Sequence, residues 1–425
     1  MRTMDVVIEG NCYLSGRFER CCVGITDGRI AKIAKIIEGD RVFRYENKVV
    51  LPGAIDAHVH FREPGLTHKE DFGSGSRASV HAGVTCVLDM PNTRPQTTTV
   101  EALREKREFA SAKSLVDFGL FAGVVKGMDV AALAKEAVGF KLYMGGTTGE
   151  MLVPSIEAVG PELAAIAGSA KVLAVHAEDE KLRKKEPEQD LEDHLRNRGN
   201  ECETSAIRRI KDVAKGNRVH ICHVSAKESV PLIGHGVTSE VAPHHLLLDK
   251  DNKLGTLAKV NPPLRRREDR QALFVALKQG AFDIIASDHA PHTIDEKKED
   301  FDYAPSGMPG VETTVPLLLD LVHKKHLAIH DVVRRVCERP AEIYGIRKGR
   351  IAVGADGDLM VVDMDAARTI KADMLNSRCG WTAFEGMDGV FPSAVFLRGQ
   401  LMMDGDDLVG ERTGRDVVDR EAAQH

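Results

Sequence analysis

The sequence predicts an α/β protein: a closed (β/α)8 TIM-type barrel carrying a small discontinuous β-sandwich-like domain formed by both chain ends. Three observations predict it. From Ala54 onward, short apolar runs alternate with stretches of helical composition, the order in which parallel strands are joined by crossover helices. The ionisable residues of those runs gather at their C-terminal ends, where barrels of this kind build their sites. Both flanks show β-type patterning but are too short for a core of their own. At 425 residues and 43% hydrophobic, the chain can bury one large barrel and a companion domain.

The elements follow in order. The first flank, residues 1–50, contains β-type runs with a turn at Asp27-Gly28. The barrel is expected over 51–349, with strands at 54–60, 85–90, 117–124, 140–144, 172–176, 218–223, 238–242 and 282–288. Helices are expected between them at 100–113, 156–167, 225–233 and 268–279. The second flank, 350–403, adds β-type runs at 358–363 and 394–402. Closing the barrel brings the two flanks together, so one shared domain is expected; two unrelated extensions are the alternative. The tail, 404–425, is polar and charged and is expected to fray.

A formal charge of −6 gives no general attraction for phosphate backbones or anionic lipid, so neither nucleic acid nor membrane is expected as a partner. Asp5 and Glu9 interrupt the N-terminus before a signal-peptide core develops, and no apolar run reaches about 18 residues. A cytoplasmic protein is expected. The eight cysteines are scattered without a CxxC pair and read as reduced core thiols.

Parallel barrel strands are buried, so each ionisable side chain in them needs a partner or a metal ion. The first strand ends in His58-Val-His60, and the period of two puts both rings on one face. Alone, that pair could be two hydrogen-bonded core histidines. However, His176 ends the fifth strand, His223 the sixth and Asp288 the eighth, and imidazole with carboxylate is a donor set suited to zinc. Lys141, on the fourth strand, would be a costly buried ammonium. Desolvation lowers a lysine pKa, and the neutral amine can add carbon dioxide to give a carbamate able to bridge two metal ions. A carboxylate partner, or a reach to the barrel mouth, would serve the lysine as well. Arg62, two residues past the histidine pair, offers a planar fork matched to a carboxylate, or else forms a surface salt bridge.

PGAIDAHVHFREPG, VLDMPNT, FKLYMG, VHAE, CHVS, NPPLR, SDHAPH and SGMPGVET occur in this order, and on these motifs the chain resembles the amidohydrolase superfamily and, within it, the dihydroorotase family. The resemblance spans residues 1–400. It implies that His58, His60 and Asp288 hold one Zn2+, that His176 and His223 hold a second, and that carbamylated Lys141 bridges them. It implies further that Arg62, Asn92 and Asn261 bind the ring carboxylate and neighbouring atoms, assisted by His292, and that Ser306 and Gly307 contact substrate through their backbone. Many bacterial relatives carry phenylalanine in place of Ser306, and both asparagines precede or follow proline in a way that also suits Asx-type turns. Some relatives place an aspartate ligand after the fourth strand. Here no acid occurs before Glu150, which favours the carbamate.

The implied reaction is the reversible interconversion of L-dihydroorotate and N-carbamoyl-L-aspartate in pyrimidine biosynthesis, with zinc making hydroxide available near neutrality and Asp288 carrying the proton. The partner is then a small-molecule substrate, and a homo-oligomer and association with a carbamoyltransferase stay open. Allantoinases and hydantoinases share the barrel, metals and lysine; Arg62 is the discriminator, because their substrates lack the ring carboxylate. A catalytically silent scaffold is the other alternative, although such chains lose ligands and this one has all six. The charged loop 295–309 reads either as a lid over substrate or as a solvated loop.

Overall fold

The structure, a computed structural model, describes residues 3–146, 151–153, 155–234 and 236–418. Glu150 and residues 419–425 of the tail lie outside these. The chain opens with strands β1 (Met4–Leu14), β2 (Arg17–Thr26), β3 (Arg29–Ala34) and β4 (Gly39–Pro52). It continues through Gly53 into β5 (Ala54–Val59), β6 (Val84–Asp89), β7 (Asp117–Gly123), β8 (Gly139–Tyr143), β9 (Val172–His176), β10 (Arg218–Ile221), β11 (Thr238–Val241) and β12 (Ile284–Ile285). The last strands are β13 (Leu359–Thr369), β14 (Asp388–Leu397), β15 (Gln400–Asp404) and β16 (Asp407–Leu408).

Strands β5 to β12 pair in sequence order, each parallel to the next. The ring closes where Val59 bridges His289 and the His60 N–H donates to His289 O at 2.8 Å. Apolar side chains including Ile55, Ala57, Leu88, Phe121, Ala174 and Ile284 pack together as a buried cluster. The register of β5 against β6 shifts between Asp56 and Val59. The Asp56 carboxylate accepts from the N–H of His58 (3.2 Å), which this irregularity leaves outside the ladder, and from the N–H of Ser287 (3.1 Å) beyond β12.

Two expected strands are shorter than their apolar runs. The regular strands end at Ile221 and at Ile285, and beyond them His223 (φ 36°) and Asp288 (φ 48°) stand in the left-handed region. Helices stand at Val100–Lys113 and Arg267–Lys278, as the periodicity predicts. The 156–167 stretch divides into a 3-10 turn, Ile156–Val159, and a helix, Gly160–Gly168, with Pro161 in its first turn. The 225–233 stretch is no α-helix: Pro231 withholds a backbone donor, and only a 3-10 segment, Lys227–Leu232, forms.

The chain ends meet in one continuous eight-stranded mixed sheet, ordered β16-β15-β14-β13-β4-β1-β2-β3. Its seam is the antiparallel pairing of β4 with β13, from Pro52 opposite Leu359 to Val49 opposite Val362. Val6, Ile8, Val23, Val50, Val361 and Phe396 are part of its core. The sheet is tied to the barrel through Lys348, whose buried ammonium lies 2.6 Å from Asp117 at the start of β7, 2.9 Å from Asp356, and against Asp358. Past β16 the chain does not fray at once: Arg415 O accepts from Phe118 N–H, and Val417 N–H donates to Phe118 O, so residues to Val418 dock on β7. All eight cysteines are buried and free. Among the described residues, no helix is long and apolar enough to cross a membrane.

Candidate metal centre

The barrel topology delivers six ionisable side chains to one end. His58 and His60 leave β5, Lys141 stands on β8, His176 ends β9, and His223 and Asp288 sit just beyond β10 and β12. All six are buried. Asp288 Oδ1 lies 3.4 Å from His58 Nε2 and 3.3 Å from His60 Nε2, and His176 Nδ1 lies 3.0 Å from His223 Nε2. Lys141 Nζ lies 3.3 Å from His58 Nε2 and 3.0 Å from Cys222 Sγ. With no exposed surface, Lys141 does not reach the mouth, and no ion pair to a carboxylate forms among the described residues.

Three of the four rings, those of His58, His60 and His176, are oriented from behind. His58 Nδ1–H donates to Glu240, whose other oxygen accepts from His220 at 3.1 Å. His60 Nδ1–H donates to Asn92 Oδ1 at 2.6 Å, and His176 Nε2–H donates to Glu178 at 2.8 Å. Arg198 in turn pairs with Glu178. These partners set the tautomers so that the opposite nitrogens face the centre. Glu178 and Glu240, which orient His176 and His58, are not among the candidates read from the sequence. The available signal was a carboxylate inside, or two residues past, a buried parallel strand.

The electrostatics suit cation binding. Burial would raise the Asp288 carboxyl, but His58, His60 and His223 outweigh it and hold the group well below the usual carboxylate range. Burial lowers His60 to about 3 and His223 well below an ordinary imidazole, leaving both neutral. Burial and Lys141 also lower His58, yet Glu240 and Asp288 prevail and raise it to about 10, so a cation taking Nε2 displaces a proton. His58, His60 and Asp288 offer ligand atoms within 4.8 Å of one another, as do His58, Cys222 and Glu240. Together with the facing nitrogens of His176 and His223, the donor set fits divalent metal ions.

The centre opens into a small cavity at the barrel mouth. Arg62, Asn92, Asn261, Ser306 and Gly307 line it. Arg62 is 2% exposed at φ 63°, is anchored through Nε–H to Pro291 O at 3.1 Å, and is lowered only to about 10 by burial, so it stays charged. Asn261 Oδ1 is buried without a partner among the described residues. Three expected contacts are redirected. His292 is not in the wall but behind Arg62, with Nε2 3.2 Å from Arg62 Nη2 and bonded to Ser306 O at 3.1 Å. Asn92 commits its carbonyl to His60, and the Gly307 N–H goes to Lys259 O at 3.0 Å.

Residues 49–402 match the Amidohydrolase family. The dihydroorotase of Halobacterium salinarum is 43% identical over 382 residues, covering 87% of this chain and 89% of that protein. The dihydroorotase of Thermoplasma acidophilum is 38% identical over 97% of each. Among solved structures, an L-hydantoinase from Arthrobacter aurescens superposes with a TM-score of 0.92 at 30% identity, covering 98% of this chain and 100% of that one. A D-hydantoinase structure gives 0.89 at 26% identity, covering 98% and 99%. With buried histidines, lysine and aspartate converging at the barrel mouth, and with similarity of this extent, the chain belongs to the amidohydrolase family and, within it, to the dihydroorotases.

Proposed function

We propose that the protein interconverts L-dihydroorotate and N-carbamoyl-L-aspartate, acting in the cytoplasm in pyrimidine biosynthesis. His58, His60 and Asp288 would hold one zinc ion and His176 with His223 a second, bridged by Lys141 as its carbamate. When bound, the ions supply a water acidic enough to ionise near neutrality and an electrophile for the ring carbonyl. The chain supplies the rest. Asp288, held anionic beside His58 and His60, takes the proton of the attacking water and returns it to the departing ring nitrogen. Arg62 pairs with the ring carboxylate, and Asn261 offers its unpartnered oxygen to a ring N–H. Asn92 orients His60 from the cavity wall, and His292 lies behind Arg62.

The observation that carries this reading over hydantoin hydrolysis is Arg62: a charged guanidinium, buried in the cavity wall, has no use for a substrate without a carboxylate and is costly to leave unpaired. Purified zinc-loaded protein should be assayed in parallel on L-dihydroorotate, allantoin and hydantoin by ultraviolet absorbance. Turnover confined to dihydroorotate is expected. Turnover of hydantoin or allantoin with dihydroorotate untouched would move the protein to the sister activities.

A further inference from the structure

Lys297 belongs to none of the groups above, yet it is among the most deeply buried lysines in the molecule. It ends the short helix Ile294–Lys297, which Thr293 and Glu296 cap reciprocally. Its side chain has no exposed surface, and no carboxylate among the described residues forms an ion pair with it. Instead its ammonium donates to three main-chain carbonyls: Lys259 O at 3.1 Å, Pro305 O at 2.9 Å and Gly307 O at 3.2 Å. An ammonium has three protons, so this set uses all of them. The ring of Trp381, 5.7 Å away, adds its π face.

Those carbonyls belong to two segments that wall the cavity, one leading into Val260 and Asn261, the other containing Ser306 and Gly307. The carbonyl between Pro305 and Gly307, that of Ser306, is held by His292 at 3.1 Å. Three consecutive carbonyls are therefore fastened from residues 292–297, with their negative ends occupied by donors. The Gly307 N–H closes the link by donating to Lys259 O. Gly307 adopts φ 143°, and a Cβ there would stand 2.5 Å from Ala290 O, so the loop has little room to re-register. Residues 305–307 of the charged loop are thus tied to the 259–261 segment and to residues 292–297. Burying an ammonium without a counter-charge is unfavourable, and a methionine would fill the volume at lower cost, so packing alone does not explain a lysine here.

We propose that Lys297 is a positioning residue for substrate binding: its ammonium fixes the 259–261 segment against the 305–307 segment, and so places Asn261, Ser306 and Gly307 around the substrate ring. This rests on the reaction proposed above. The metal-ligating side chains stand on other elements, so the effect belongs in substrate affinity and not in the chemical step.

The test compares wild type, Lys297→Met, which keeps volume without donors, and Lys297→Gln, which keeps two. Each is purified with zinc and measured for zinc content, thermal stability and steady-state kinetics on L-dihydroorotate. The expected result for Lys297→Met is a KM raised about tenfold or more with kcat within about threefold and zinc unchanged, and a smaller rise for Lys297→Gln. An unaltered KM in folded, zinc-loaded Lys297→Met overturns the proposal, as does a loss confined to kcat or a loss of zinc. Failure of both variants to fold also overturns it, because the lysine would then serve the fold and not the site. Wild type that ignores dihydroorotate would instead remove the reaction itself, and this inference with it.

Discussion

Nδ1 of His176 faces Nε2 of His223 across 3.0 Å, and it does so because Glu178 takes the other nitrogen of His176 at 2.8 Å. With that N–H committed, Nδ1 presents a lone pair into the barrel, where a cation can use it. Replacing Glu178 by Gln keeps the shape but removes the charge that strengthens the imidazole as a donor. Zinc affinity of Glu178→Gln should fall about tenfold or more, read by retention against a graded chelator. Retention equal to wild type would show that Glu178 serves only Arg198.

Lys141 lies without a carboxylate partner between His58 and Cys222, a position that makes sense if its nitrogen carries an anionic group. In Lys141→Ala, the metal content should drop and kcat should fall about a hundredfold or more, with partial recovery when a short carboxylic acid and zinc are added together. Full activity in the unsupplemented variant would remove the bridging role.

At the opposite end of β7, Lys348 gathers Asp117, Asp356 and Asp358, all buried. Removing the shared cation leaves three carboxylates facing one another. Lys348→Met should lose on the order of 3–5 kcal/mol of unfolding free energy in denaturant titration while kcat of the folded fraction is retained. A loss below about 1 kcal/mol would mean that the cluster relaxes onto solvent or onto Arg398, which also pairs with Asp117.

Glu188 accepts from His194 at 2.8 Å, Asn197 at 3.0 Å and Lys259 at 3.2 Å. Burial raises its carboxyl, but these partners prevail and lower it to about 2. A depressed folded pKa contributes stability above the unfolded value of about 4.3, and that contribution is lost as pH falls through the folded one. The melting-temperature gap between wild type and Glu188→Gln should therefore be widest above pH 5 and shrink steadily toward pH 2. A gap that stays constant over that range would contradict the assignment.

The barrel and the six-residue centre were legible because their signals are local: HVH at a strand end puts both rings on one face, and buried parallel strands expose any ionisable residue as an anomaly. Orientation was not legible. Nothing in DHAPH says that His292 lies behind Arg62 instead of in the cavity, because that depends on Lys69 and Ser306, far apart in the chain. Glu240 escaped notice because a carboxylate in a strand points to no particular partner until His58 and His220 are placed beside it. The strands end before their apolar runs do, close to the candidate ligands His223 and Asp288, whose positive φ no residue pattern announces. The tail's composition reads as disordered, yet Asp416 is buried and bonded to Arg107 at 2.7 Å.

The most direct measurement is turnover of L-dihydroorotate by chelator-stripped protein as zinc is added back. Metal-free protein should be silent, and activity should rise with zinc and saturate near two ions per chain, as a two-metal centre requires. Full turnover without metal, or zinc binding that never brings dihydroorotate turnover, would contradict a metal-dependent dihydroorotase built on His58, His60, Lys141, His176, His223 and Asp288.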